Sequence, residues 1–229
     1  MALEFTHTSN KNADRRTSVI PAITFKWLTI ALVTCIALLG TLGTFALRAP
    51  QDALGLMALF HLDRELNLVT LFSAALLLTS GYLVYLLVKA GDSGRAIIGL
   101  AFLFAFMGFD EMLKIHETSE KLTGVDWQIL YSPIILFAGA GWLLLFLRSA
   151  GVTRTLWVGG AACWVASQLL EAGQWGWGSD VETANYDSLM VCEELLEMTG
   201  SMLFLLTLFR LLLPQGLRMR PRSESTALK

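Results

Sequence analysis

Residues 190–213 read MVCEELLEMTGSMLFLLTLFRLLL. The run is long and apolar enough to cross a bilayer, yet Glu193, Glu194 and Glu197 fall in its first eight residues. At 100° per residue these three and Ser201 lie within about a 100° arc of one helix, with Gly200 beside them. Three carboxylates on one face of a membrane helix cost several kcal/mol unless positive charge sits among them. Whatever offsets that cost has to come from the rest of the chain.

The rest of the chain is also membrane-like. Of 229 residues 55% are hydrophobic and 16% charged, the balance of an integral membrane protein. Apolar runs of span length occur at about 23–46, 67–90, 95–115, 127–148, 155–175 and 190–213. The expected fold is therefore all-α, a bundle of six transmembrane helices over 23–213. A polar tail (1–22) precedes it and a basic tail (214–229) follows. The first run carries no convincing cleavage site and reads as a retained helix. Cys35, Cys163 and Cys192 stand singly inside spans, with no metal or redox spacing.

Charge sets the orientation. With six spans and the N-terminus inside, thirteen of the seventeen Lys and Arg residues face the cytoplasm, so both termini are expected there. Fifteen of the nineteen acids then fall on the outer side or in the outer ends of spans, which would concentrate cations.

Several of those acids share one depth. Counting 1.5 Å per residue from the inner arginines places Asp110 ~22 Å, Glu111 ~24 Å, Glu171 ~25 Å, Glu197 ~20 Å and Glu193 ~26 Å up their helices. On an unbroken third helix, Asp110, Lys114 and Glu117 share a face, with His116 further round; Glu111 points elsewhere on the helix, and whether it joins the site stays open. Lys114 is the charge compensator, and one lysine cannot serve every carboxylate. The second span opens with Glu65 and Asn67, where capping of free backbone N–H groups explains them as well as a site role does. Ser167, Gln168 and Gln174 flank Glu171, and Tyr131 of the fourth span reaches toward the same layer. Residues 50–64 are too short and polar to cross and are expected on the outer interface. Trp175 and Trp177 read as interface anchors.

Carboxylates crowded in a low dielectric must be protonated, paired or bound to a cation. A divalent metal neutralises several at once, and acids from facing helices with one imidazole form a bundle-type ligand set. The ligand candidates are Asp110, His116, Glu171, Glu193 and Glu197, with Glu194 and Glu117 as general base or supporting groups. Mn, Fe, Mg, Ca or Zn suits so oxygen-rich a set better than Cu. The histidine-rich boxes of desaturases, the three-histidine zinc set of ceramidase-like hydrolases, a bis-histidine haem pair and nucleotide loops are absent, as is any nucleic-acid feature. Gly91-Asp92-Ser93-Gly94 reads as a polar turn.

The combination of E-x-N (Glu65, Asn67), D-E-x3-I-H-E (Asp110, Glu111, Ile115, His116, Glu117) and E-E-x2-E-x2-G (Glu193, Glu194, Glu197, Gly200) resembles a group of bacterial multi-pass membrane proteins. That resemblance implies a shared fold and a bacterial inner membrane, and it brings no activity with it.

Three functions stay open on the residues alone. One is a metal-dependent hydrolase or oxidoreductase taking a lipid or small periplasmic substrate from the outer side. Another is a divalent-cation or proton-coupled transporter or channel, in oligomeric form or alone. Acids related by inverted repeats would lie on opposite sides of the membrane, and these lie on one, which counts against alternating access. The third is a scaffold or complex subunit with a structural polar network.

Overall fold

The computed structural model describes residues 22–50, 55–62, 64, 66–89, 97–125, 127–174 and 185–212, the side chains of 22–24 and 117 excepted. Glu65, Trp175, Trp177 and both tails lie outside the described residues. Within them the chain is helical throughout: α1 (Ala22–Arg48), a short 3-10 turn (Gly55–Phe60), α2 (Leu68–Lys89), α3 (Ile98–Leu113), α4 (Ile115–Thr123), α5 (Trp127–Arg148), α6 (Gly151–Gln174) and α7 (Tyr186–Leu212). The all-α expectation holds.

Of the six expected spans, four stand among the described residues by length and composition: Phe25–Arg48, Leu68–Lys89, Trp127–Arg148 and Tyr186–Leu212. Helix α3 has 16 residues, which is ~24 Å against the ~30 Å of a hydrocarbon core. Helix α6 has 24, but Arg154, Ser167, Gln168, Glu171 and Gln174 dilute its apolar character. Both nonetheless pack within the group, α3 against α2 and α5, and α6 against α7.

Local chemistry sets where these helices start and bend. Asn67 caps α2: its Oδ1 accepts the Thr70 N–H at 2.9 Å, while its Nδ2 donates to the carbonyls of Arg64 (2.8 Å) and Leu62 (3.2 Å). In α5, Pro133 has no N–H to give to the carbonyl four residues back. The Ser132 hydroxyl donates to that oxygen, on Ile129, at 2.8 Å, so the helix continues without an unpaired acceptor there. Helix α4 ends where Gly124 (φ +66) turns left-handed and returns its N–H to Glu120.

Small residues bring the core helices together. A Cβ at Gly160 would lie 3.1 Å from the Gly200 carbonyl, and one at Gly200 would lie 3.0 Å from the Gly160 carbonyl. Helices α6 and α7 therefore cross backbone to backbone, the packing that small residues permit in membranes. The exposed surface is the converse: Trp27, Val33 and Leu38 on α1 and Leu136 and Phe137 on α5 face outward. Large apolar side chains cover the outside as well as the core, while the polar ones among them are buried, which suits a hydrocarbon solvent.

Candidate functional site

The polar layer begins at a break in the third helix. Lys114 takes the left-handed conformation (φ 46, ψ 48) between α3 and α4, so helical counting past Leu113 fails. The break places His116 on Asp110. The His116 backbone N–H donates to Asp110 Oδ1 at 2.8 Å, and the ring Nδ1 lies 2.8 Å from Oδ2. Tyr131 of α5 donates its hydroxyl to Oδ1 at 2.9 Å. Asp110 thus holds a histidine by one ring nitrogen and leaves the other for something else. Burial works against the imidazolium, but the hydrogen bond and charge of Asp110, with Glu171 and Glu111 adding theirs, carry the His116 pKa above its ordinary value. Trp127 lies beside the His116 ring (5.3 Å between centroids) and donates its indole N–H to Glu171 of α6 at 3.2 Å.

Helix α7 supplies the other half. Gln174, buried at the end of α6, donates to Glu193. Glu194 and Glu197 turn instead toward α3, and one oxygen from each of Glu111, Glu194 and Glu197 lies within 4.8 Å of the other two. The Glu111 and Glu197 carboxyls are in hydrogen-bond contact, which requires a proton or a cation between them. Two further atoms point to an unfilled requirement. Among the described residues the buried Glu194 Oε2 has no hydrogen-bond partner, and neither has the Ser201 hydroxyl, which is fully buried one turn from Glu197 on the same face. The buried Ser73 hydroxyl of α2 is in the same condition. Gly108 faces Ala74 and Leu78, a register that sets Ser73 within about a turn of the level of Glu111.

These groups form one electrostatic unit. The charge of Glu171 acts on both His116 and Glu193, that of Glu111 on Glu193, Glu194 and Glu197, and that of Lys114 on Glu111 and Glu194. Beneath them the bundle is closed by rings. Phe104, Trp157 and Phe204 meet at centroid distances of 5.0–6.2 Å, and Trp142 stacks on Trp157 at 6.1 Å. Phe104 and Phe204 are each seven residues from Glu111 and Glu197, so this floor lies ~10 Å below the acids.

The structure sorts the sequence-derived candidates into neighbouring sets. Asp110 and His116 hold each other and Tyr131, Glu171 holds Trp127, and Glu193 holds Gln174. Glu197 joins the three-carboxylate group with Glu194 and with Glu111. The straight-helix reading left open whether Glu111 joins the site and set Lys114 against Asp110. The left-handed Lys114 brings His116 onto Asp110, and Lys114 acts on Glu111 and Glu194; Glu111 itself precedes the break and meets Glu194 and Glu197 from the regular part of α3. Glu65 and the side chain of Glu117 lie outside the described residues. Sequence reasoning did not assign Trp127, Ser73 or the aromatic floor to the site. An indole at a span end reads as an interface anchor until its N–H is seen to have a buried acceptor.

Three carboxylates form a hard oxygen donor set, fitted to Mg, Mn, Ca, Zn or Fe in the divalent state. A family model described as a domain of unknown function matches residues 26–212, nearly the whole helical region. No curated protein and no solved structure matches the chain.

Proposed function

The chain belongs to the DUF8692 family, and we propose that it is a divalent-metal hydrolase of the bacterial inner membrane, working on a lipid or small periplasmic substrate. In this reading α3 and α6 complete a six-span bundle, both termini face the cytoplasm and the acid layer opens outward. The observation that carries it is the meeting of Glu111, Glu194 and Glu197 oxygens within 4.8 Å beside a histidine already oriented by an aspartate. A metal held by the three carboxylates would polarise a substrate oxygen and make a bound water acidic near neutral pH. The remaining groups have separate work. Asp110 fixes the His116 tautomer through Nδ1, leaving the other ring nitrogen to accept a proton as a general base. Tyr131 holds Asp110 in place, and Lys114 offsets charge at Glu111 and Glu194.

Two observations favour this over the alternatives. A transporter needs a polar route onward, whereas the Phe104–Trp157–Phe204 floor seals the bundle beneath the acids. A purely structural network would pair its buried atoms, whereas Glu194 Oε2 and the Ser201 hydroxyl have no partner among the described residues. A histidine oriented by an aspartate supplies the general base that hydrolysis uses.

The test is elemental analysis of protein purified in mild detergent without chelator or histidine tag, beside the Glu194→Gln/Glu197→Gln variant. We expect about one divalent ion per chain, lost in the variant. His116→Gln should keep the ion and lose turnover. Absence of metal from both samples after incubation with Mg, Mn, Fe, Zn and Ca would refute the reading.

A further inference from the structure

The end of the bundle away from the acids has the opposite chemistry. At the starts of α1 and α6 and the ends of α2, α5 and α7 stand Lys26, Lys89, Arg148, Arg154 and Arg210. No carboxylate among the described residues lies at that end. Helices α1, α2, α5 and α7 are the four of span length, so these cations sit where spans leave the hydrocarbon, on the side that charge balance expects to be cytoplasmic. Three of them lie over rings: Lys89 over Tyr85 at 4.9 Å, Arg154 over Phe146 at 5.0 Å and Arg210 over Phe25 at 5.3 Å. A cation held on a ring at a span end stays at the boundary between acyl chains and head groups.

Two of the arginines are also fixed in direction. Arg154 donates its Nε–H to the Ser149 carbonyl at 2.8 Å, and Arg210 donates its Nε–H to the Thr153 hydroxyl at 3.3 Å. Ser149 is buried and tied to α5, its N–H and its hydroxyl both donating to the Leu145 carbonyl at 2.9 and 2.6 Å. Both guanidiniums therefore hang on one short stretch, from the end of α5 to the first turn of α6, and neither meets a carboxylate among the described residues. A guanidinium tied through Nε directs its terminal nitrogens elsewhere, and that fork matches two oxygens of a phosphate. At head-group depth the phosphate at hand is that of a phospholipid. A zwitterionic head group adds an ammonium, which this end repels; an anionic one does not.

We propose that Arg154 and Arg210 clamp the phosphate of an anionic phospholipid at the start of α6. Helix α6 is not among the four apolar helices of span length, yet it carries Glu171 and Gln174 to the acid layer. A phosphate held at its first turn fixes the depth of a helix that its own composition does not hold in the membrane. The clamp makes no use of the metal reading and stands or falls apart from it.

The full chain in mild detergent and phosphate-free buffer is to be titrated with phosphatidylglycerol or phosphatidylcholine, and the bound lipid counted by native mass spectrometry. Phosphatidylglycerol should bind at least about tenfold more tightly, and the preference should vanish in Arg154→Gln/Arg210→Gln. Arg154→Lys/Arg210→Lys, which keeps the charge and loses the fork, should lie between the two. Arg48→Gln, a cation removed from the opposite end of α1, should change nothing. Phosphatidylglycerol should also raise the melting temperature of the wild type more than phosphatidylcholine does, and that difference should be lost in the glutamine variant. If the double glutamine variant does not fold, Arg154→Gln and Arg210→Gln carry the test singly, each losing about threefold of the preference. Equal binding of the two lipids by the wild type, or a preference that survives the glutamine variants, would overturn the clamp. Lysine variants equal to wild type would overturn the fork contact. Displacement of the lipid by millimolar inorganic phosphate would assign the arginines to a soluble anion and overturn the lipid.

Discussion

Gly200→Ala tests how the helices hold the acids in place. A Cβ there would lie 2.6 Å from Trp164 Cδ1 and 3.0 Å from the Gly160 carbonyl oxygen. Non-bonded carbons sit best at about 3.5–4.0 Å, so α6 and α7 must part by roughly 0.5–1 Å. The indole could turn aside, but the Gly160 backbone cannot, because Phe204 fills the space over its own Cα (2.7 Å from a Cβ placed there). Overpacking of this kind costs about 1–3 kcal/mol. Glu197 lies three residues away on the same helix, so the displacement reaches the three-carboxylate group and should weaken divalent-ion binding by ~10–100-fold, as loss of supporting structure does at other metal sites. Thermal unfolding of metal-free protein measures the first effect and calorimetric titration with the ion the second. Gly139→Ala is the control, since a Cβ there meets nothing within 4 Å. If Gly200→Ala matches Gly139→Ala in both stability and affinity, the close crossing does not position the acids and the reasoning fails.

Other perturbations reach the site from its edges. Asn67→Ala removes one acceptor and two donors at the start of α2 and should lower stability by about 1–3 kcal/mol. Asn67→Asp, which keeps the acceptor for the Thr70 N–H, should fall between the two in melting temperature, and no loss in either would show that the cap contributes nothing. Asp110→Asn tests the histidine. Because the folded His116 pKa is raised, its contribution to stability is fully present below the unfolded histidine value of ~6.5 and is lost as pH rises through the folded value. Wild-type melting temperature should therefore decline across that window, and the decline should flatten in Asp110→Asn; an unchanged slope would show that the aspartate does not hold the imidazolium.

Much of the architecture is legible in the chain because apolar periodicity and length are properties of each segment alone. The common depth of Asp110, Glu111, Glu171, Glu193 and Glu197 is legible for the same reason: a rise of 1.5 Å per residue needs no knowledge of neighbours. What fails is direction. A single residue in the left-handed region reverses the facing of everything after it, and nothing in the lysine at 114 announces φ > 0 as a glycine would. His116 consequently returns to a carboxylate six residues behind it, whereas Glu111 lies before the break and meets Glu194 and Glu197 through helix packing that no local count gives. Helices α3 and α6 fall short of a full apolar span for a different reason. Helix α6 is long enough but carries a polar face, and a polar face turned toward neighbouring helices looks, in sequence, like one turned toward water. Partnerships such as Trp127 with Glu171, 44 residues apart, depend on how α5 leans on α6, which no local pattern encodes.

The ring floor has an optical consequence. Trp142 and Trp157 lie 6.1 Å apart with planes 16° from parallel, close enough for their excited states to couple, and the indole N–H of Trp157 is fixed on the Trp142 carbonyl at 3.1 Å. The chain therefore carries a native chromophore pair directly under its acid layer. Near-ultraviolet circular dichroism would register any ligand, ion or lipid that shifts that layer downward, with no label introduced.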